Sequence, residues 1–210
     1  MLPRLRSGQA LRDRIAPGVR VLFVGINPGI RSAETGHHFA GYSNRFWKLL
    51  FESTLVPEPI DWRDDDRLPE WGFGITNLVA RDTPGIDTLS REECAAGIEV
   101  LRAKVRRFKP EIVAFAGVSL YRWIFATKGA VKPGPQRAAF EGAEVFVLPN
   151  PSGRNANFSH AEMLAAFRKL RRRLRKGPPE GGHDELTKDI GSVRLQADLT
   201  GGFRCARLYC

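Results

Sequence analysis

Residues 20–29 read Arg-Val-Leu-Phe-Val-Gly-Ile-Asn-Pro-Gly. A short apolar run that ends in glycine predicts a buried strand over Arg20–Gly25. Pro28 and Gly29 then forbid its continuation and set a turn. The same grammar recurs downstream. Glu111–Gly117 is a second apolar run ending in glycine. Gly74–Val79 reads as a short strand-like segment. Phe140–Leu148 reads as a hairpin turn followed by a last strand, Val145–Leu148. Directly after it comes Asn150-Pro-Ser-Gly153, another Pro/Gly turn.

Helical signals fall between these strands. Ser43 is placed to cap a helix running to about Phe51–Thr54, with Phe46, Trp47, Leu50 and Phe51 on its apolar side. Ser90-Arg-Glu-Glu93 and Ser159-His-Ala-Glu162 have the spacing of capping boxes. They predict helices to about Phe108 and Lys176, the first stopped by Lys109-Pro110. Ser119–Thr127 is a shorter helix. The Pro- and Asp-rich residues 56–70 read as a connector. Strands alternating with helices predict a parallel sheet covered on both faces. The two special turns then lie at carboxyl ends of strands, where open α/β sheets place their sites.

The chain has 210 residues, 42% hydrophobic and 10% aromatic, which suits one medium domain and excludes a wholly disordered chain. Residues 1–16 read as a basic arm with a weak amphipathic stretch at Gln9–Ile15, and residues 17–176 as the domain. Residues 177–210, without clear periodicity, read as a disordered tail. No apolar run approaches the roughly 18–20 residues of a bilayer span, and the start lacks a secretion signal's apolar stretch. Cys94, Cys205 and Cys210 have no metal-type spacing, which argues against a disulfide framework or structural zinc and for a reducing compartment. Lys and Arg total 33 against 23 Asp and Glu, a formal charge of +10. Such a chain is attracted to polyanions. The run Arg168–Lys176 reads first as a solvated helix face favoured by the helix dipole, and second as a source of nonspecific DNA affinity.

Residues 25–47, GINPGIRSAETGHHFAGYSNRFW, and residues 148–154, LPNPSGR, resemble the mismatch-specific uracil/thymine DNA glycosylases. These are a branch of the uracil-DNA glycosylase superfamily. The resemblance runs from about Pro17 to Lys176 and includes Gly74–Gly85, GITNLVARDTPG. It implies an α/β fold, a three-layer α/β/α sandwich around a short central parallel sheet. It also implies a monofunctional, monomeric enzyme of base excision repair. That enzyme would act on double-stranded DNA holding a mismatched or damaged pyrimidine, with no cofactor and no membrane partner, in a bacterial cytoplasm beside the nucleoid.

The resemblance also implies roles. Asn27 would position the water that attacks the sugar, although an isolated Asn-Pro pair more often just closes a turn. An amide oxygen accepts a hydrogen bond but is no strong base. Many superfamily relatives carry aspartate there, so slower chemistry is expected. Backbone N–H groups around Ile26 would donate to a uracil carbonyl, and Gly29 would let the backbone approach. Phe39 would stack on the everted base and Asn77 would meet the pyrimidine edge. His37 and His38 would shape the pocket rather than bind metal, with Ser32 and Ala33 near pyrimidine C5. Asn44–Trp47 would be structural, with Arg45 near phosphate.

In this branch the second turn enters the minor groove. Gly153 would permit the approach, Arg154 would fill the hole left by the everted nucleotide, Asn155 would read the opposite base and Ser152 would touch phosphate. Asn150 stands where the classical uracil glycosylases carry a histidine, implying weaker leaving-group help. Arg154–Asn157 departs from the family's commonest loop, which bears on opposite-base preference. Two other readings compete: a basic module that binds mismatched or damaged DNA without catalysis, and another superfamily member, of a single-strand-active or an iron–sulfur type, the latter disfavoured by three cysteines.

Overall fold

The computed structural model describes residues 10–83 and 88–175. Its centre is β1 (Val21–Gly25), buried at every position. On one side β1 pairs with β2 (Phe73–Asn77), on the other with β3 (Ile112–Ala116). Beyond β3 come β5 (Ala143–Leu148) and, at the edge, β4 (Gly134–Phe140), giving the order β2-β1-β3-β5-β4. Four strands are parallel, and only β4 runs antiparallel to its neighbour. The helices are α1 (Ile30–Thr35), α2 (Phe46–Glu52), α3 (Arg91–Phe108), α4 (Val118–Phe125) and α5 (His160–Arg175), with a 3-10 helix over Trp62–Trp71.

Strand alternation builds the three layers. Val21, Phe23, Ile112, Ala114, Phe146 and Leu148 face one core with α2, the 3-10 helix and α5. Leu22, Val24, Val113, Phe115, Val145 and Val147 face the other, with α3 and α4. A period of two along each strand serves both layers, so strands buried on both faces read as unbroken apolar runs. The aromatic centre of the first core is Phe46, edge-on to Phe23 at 5.2 Å and to Phe167 at 6.1 Å. On the other face Gly97 of α3 lies against the Leu78 carbonyl, closer than any Cβ would allow.

Both predicted capping boxes close. Ser90 Oγ accepts from Glu93 N–H while the Glu93 carboxylate accepts from Ser90 N–H. Ser159 and Glu162 do the same. Elsewhere the structure corrects the sequence reading. The sheet has an antiparallel edge: Gly134–Phe140, GPQRAAF, pairs with β5 at its two ends, and its exposed and half-buried interior contains no apolar run that would signal a strand. Helix α2 starts at Phe46 rather than after Ser43, since the Asn44 Oδ1 accepts from Phe46 N–H. The 56–70 connector is largely the 3-10 helix, opened by an Asp61/Asp64 capping box. Aspartates that read as a loop signal are here a helix start.

The N-terminal boundary also moves. Residues 1–16 read from sequence as an arm outside the domain with an amphipathic stretch, yet residues 10–16 lie on the free edge of β2 without forming a helix. Arg14 and Ile75 exchange both backbone hydrogen bonds, at 3.0 and 2.8 Å. Leu11 is buried. Asp13 pairs with Lys104 at 2.7 Å and accepts from the Thr76 hydroxyl at 2.5 Å. The Arg14 guanidinium reaches the Asp65 carboxylate at 3.0 Å. The rest of the expected arm, residues 1–9, and the expected tail from residue 177 lie outside the described residues.

Asp65 is fully buried and satisfies three donors from the N-terminal strap and the 37–38 turn: Arg14 Nε, His37 Nδ1 and the His38 N–H. Removing a buried charge from such a set strands its partners and typically costs 3–5 kcal/mol. Asp65→Ala should therefore lower the unfolding free energy by about 3–5 kcal/mol in urea titrations. A loss near zero would show that the carboxylate holds nothing.

Candidate functional site

The carboxyl ends of β1, β2, β3 and β5 point the same way and open into one cavity of about 630 Å³. Its walls are the Gly25–Ser32 turn, Phe39 and Gly41–Asn44, Asn77, Ala116–Leu120, and the loop from Asn150 to Phe158. The chain runs from β1 to β2 on one side and then from β2 across to β3 on the other, so the cavity sits at a topological switch point.

Asn27, half-buried, lies in this cavity together with the 150–155 loop. Its Nδ2 donates to Thr83 Oγ1 at 2.7 Å and to the Pro28 carbonyl at 3.0 Å. Both donor positions are thereby taken. Among the described residues no donor reaches Oδ1, which remains the acceptor this side chain offers. Thr83 is itself buried, and its N–H donates to the Pro28 carbonyl at 3.3 Å. It was not singled out from sequence, although the stretch that contains it, 81–85, was part of the resemblance. The Ile26 carbonyl accepts from Val79, while its N–H finds no backbone partner among the described residues. Gly29 borders the cavity, and a Cβ built there would meet no atom within 4 Å.

The base end of the cavity is built around Gly25. A Cβ there would stand 2.5 Å from Asn77 Oδ1 and 3.4 Å from Phe39 Cζ. Phe39 stacks on Phe46, centroids 4.3 Å apart and planes 24° from parallel. Its φ of 50° is left-handed, a conformation that costs a bulky residue on the order of 1–3 kcal/mol. Packing on Phe46 holds it there, and the ring also lines the cavity.

His38 is not in the cavity wall, contrary to the expectation from sequence. It is buried behind Asn77. Its Nε2 lies 3.0 Å from the Arg12 carbonyl, so Nε2 carries the hydrogen. Nδ1 is then an acceptor, and Asn77 Nδ2 donates to it across 3.4 Å. His38 thus positions the amide of Asn77. His37 also lies outside the cavity, bonded to Asp65 at 2.9 Å and edge-on to Trp62. The fold brings Asp65 to the ring of His37 and to the backbone N–H of His38; it is one of three consecutive aspartates that sequence cannot tell apart.

The 150–155 loop is held from within and from below. Asn150 Oδ1 accepts from Ser152 N–H, and Ser152 Oγ accepts from Arg154 N–H. Asn155 is buried, its Nδ2 donating to the Asn150 carbonyl and its Oδ1 accepting from Asn157 N–H. One N–H and one lone pair of that amide are thus engaged inside the loop, while Asn155 also lines the cavity. Gly153 packs on Ser43 so closely that no Cβ would fit, which gives the glycine a packing reason. Arg45 donates from Nη2 to the carbonyls of Ser152 and Asn155 at 3.0 and 3.2 Å. It clamps the loop rather than standing free for phosphate. Arg154 remains exposed on the loop.

Burial holds the His38 ring below the ordinary histidine value of 6.5, against the opposing pull of the Arg12 carbonyl and Asp65. A depressed folded-state pKa means the unfolded chain binds the proton more readily. The stability from neutral His38 is therefore complete above about 6.5 and is lost as pH falls toward the folded value. The urea midpoint should drop as pH is lowered from 7 to 5, and His38→Gln should flatten that slope. An unchanged slope in the variant would assign the acid sensitivity elsewhere.

Compared with models of known families, residues 13–175 match the one described as the uracil DNA glycosylase superfamily. The match covers the N-terminal strap from Asp13, the whole sheet and both loops of the cavity. Members of that superfamily are DNA glycosylases, hydrolases that act on DNA. With an α/β/α sandwich whose cavity lies at the carboxyl ends of its parallel strands, this chain belongs to the uracil DNA glycosylase superfamily.

Proposed function

We propose that the chain is a monofunctional glycosylase of the mismatch-specific uracil/thymine branch, releasing uracil and related pyrimidines opposite guanine. The observation that carries this reading is the anchoring of Asn27 by Thr83, which leaves one amide oxygen as acceptor in a cavity shared with Phe39 and Asn77. An uncharged acceptor can orient a water but cannot deprotonate it effectively. Chemistry at such a site is dominated by positioning and by stabilising charge on the leaving base.

The steps follow from the named groups. The target nucleotide is extruded, because its glycosidic bond is unreachable inside the stack. Phe39 receives one face of the pyrimidine and Asn77 its polar edge. The bond from C1′ to N1 breaks with its electron pair passing to the base. Positive charge gathers on the sugar while the Ile26 N–H faces charge developing on a base carbonyl. Water held at Asn27 Oδ1 adds its oxygen to C1′, and its proton leaves to solvent or to the departing base. Among the described residues no lysine lines the cavity, so a Schiff base and strand cleavage are not expected. Arg154, exposed on the loop, enters the gap left in the duplex.

Asn27→Ala should reduce uracil release from a G:U duplex by about 100-fold or more while leaving duplex binding intact. Thr83→Val, which frees the Asn27 amide, should lower kcat by about tenfold, the worth of one ~1.4 kcal/mol hydrogen bond, without raising KM. A wild-type chain that binds a G:U duplex but releases no base would make it a binding module.

Arg154→Ala should slow release from duplex more than from single strands, since only duplex has a gap to fill. Equal losses on both substrates would remove the wedge role.

A further inference from the structure

Beside the base cavity lies a second one of about 410 Å³ that the proposed chemistry does not use. Its walls include Tyr42, Trp47, Phe51 and Trp62, with the cations Arg31 and Lys48. Tyr42 is 89% exposed and Phe51 38%. The Arg31 guanidinium lies 3.6 Å from the Tyr42 ring centroid and 5.4 Å from that of Trp62. Arg31 Nε donates to the Ala40 carbonyl at 2.7 Å, which fixes the guanidinium beneath the exposed ring. The acidic residue of the groove, Asp61, is engaged by Arg63.

Exposed aromatic surface held rigid by a cation is expensive to leave in water and calls for a flat partner. In proteins that hold single strands, aromatic faces and arginines stack on bases without choosing among them. The groove is also continuous with the base cavity. Phe39, Gly41, Tyr42 and Asn44 line both, so one strand can follow the Gly41–Asn44 ridge from the first cavity into the second.

We propose that this groove binds a second nucleobase of the same strand, neighbouring the everted one, when that strand is unpaired. The proposal rests on reading the larger cavity as the base pocket. It gives the protein a grip on single-stranded DNA that the loop wedge does not provide. Tyr42 contributes the stacking face, Arg31 stiffens it, and Lys48 supplies positive charge near the backbone.

The test is binding of single-stranded oligonucleotides carrying one non-hydrolysable 2′-fluoro-deoxyuridine, read by anisotropy. In a series of these, each base within two positions of the target is replaced by an abasic tetrahydrofuran. Removing one particular neighbour should weaken wild-type binding by about fivefold or more, the lower end for a stacked base. Tyr42→Ala should lose a similar factor and then become insensitive to that replacement, while Tyr42→Phe behaves as wild type. Trp62→Leu should reproduce the insensitivity. Losses that multiply between variant and abasic site, or a series in which no neighbour matters, would overturn the proposal. So would tighter binding by a chain truncated after Lys176, because the groove would then belong to the chain's own C-terminal segment. A wild-type protein that binds none of the oligonucleotides and releases no uracil would remove the larger cavity's reading. Intact uracil release with neighbour-independent binding removes only the groove.

Discussion

Gly25 has no side chain, and the site is assembled in the space that a Cβ would fill. Asn77 and Phe39 both close on that point, one from the neighbouring strand and one from the turn after α1. The parallel pairing of β1 and β2 puts Gly25 and Asn77 side by side at the carboxyl edge. A Cβ here would meet Asn77 Oδ1 at 2.5 Å and so push the amide off its histidine partner, while only touching Phe39. A hydrogen atom at this position therefore sets the depth of the cavity.

Support for these groups comes from polar atoms buried beneath them. Asp65 ties the strap, through Arg14, to the turn that carries His37 and His38. His38 passes that rigidity to Asn77, and its own Nε2–H is spent on the strap at Arg12. The strap is thus part of the site's foundation, and Leu11 reaches the cavity wall itself. Across the cavity, the contact of Gly153 with Ser43 and the clamp from Arg45 join the two loops into one surface. Both sides of the opening are held before any ligand arrives, so little ordering remains to be done on binding.

Much of this was legible in the residues. Apolar runs ending in glycine marked β1 and β3, and reciprocal Ser/Glu spacing marked the starts of α3 and α5, because those signals are local. Asn27, Phe39 and Asn77 were singled out and do line one cavity with the 150–155 loop. What escaped was set by partners distant in sequence. Thr83 matters because it meets Asn27 across 56 positions, and Asp65 because it meets Arg14 across 51. Nothing in the composition around either residue announces such a partner. Asn155 adds a bond that residue type does not announce: its amide ties Asn150 to Asn157 within the loop.

The sequence by itself determined a parallel sheet covered on both faces, the places of its four parallel strands and of α2 to α5 along the chain, and the two turns that flank the cavity, but not α1, the 3-10 helix or the edge strand β4. Periodicity, caps and Pro/Gly punctuation act within a few residues of one another. The tertiary structure decided which side chains face the cavity, which are spent in holding others, and where the domain begins. Those outcomes depend on hydrogen bonds and close approaches between segments that only the folded sheet brings together.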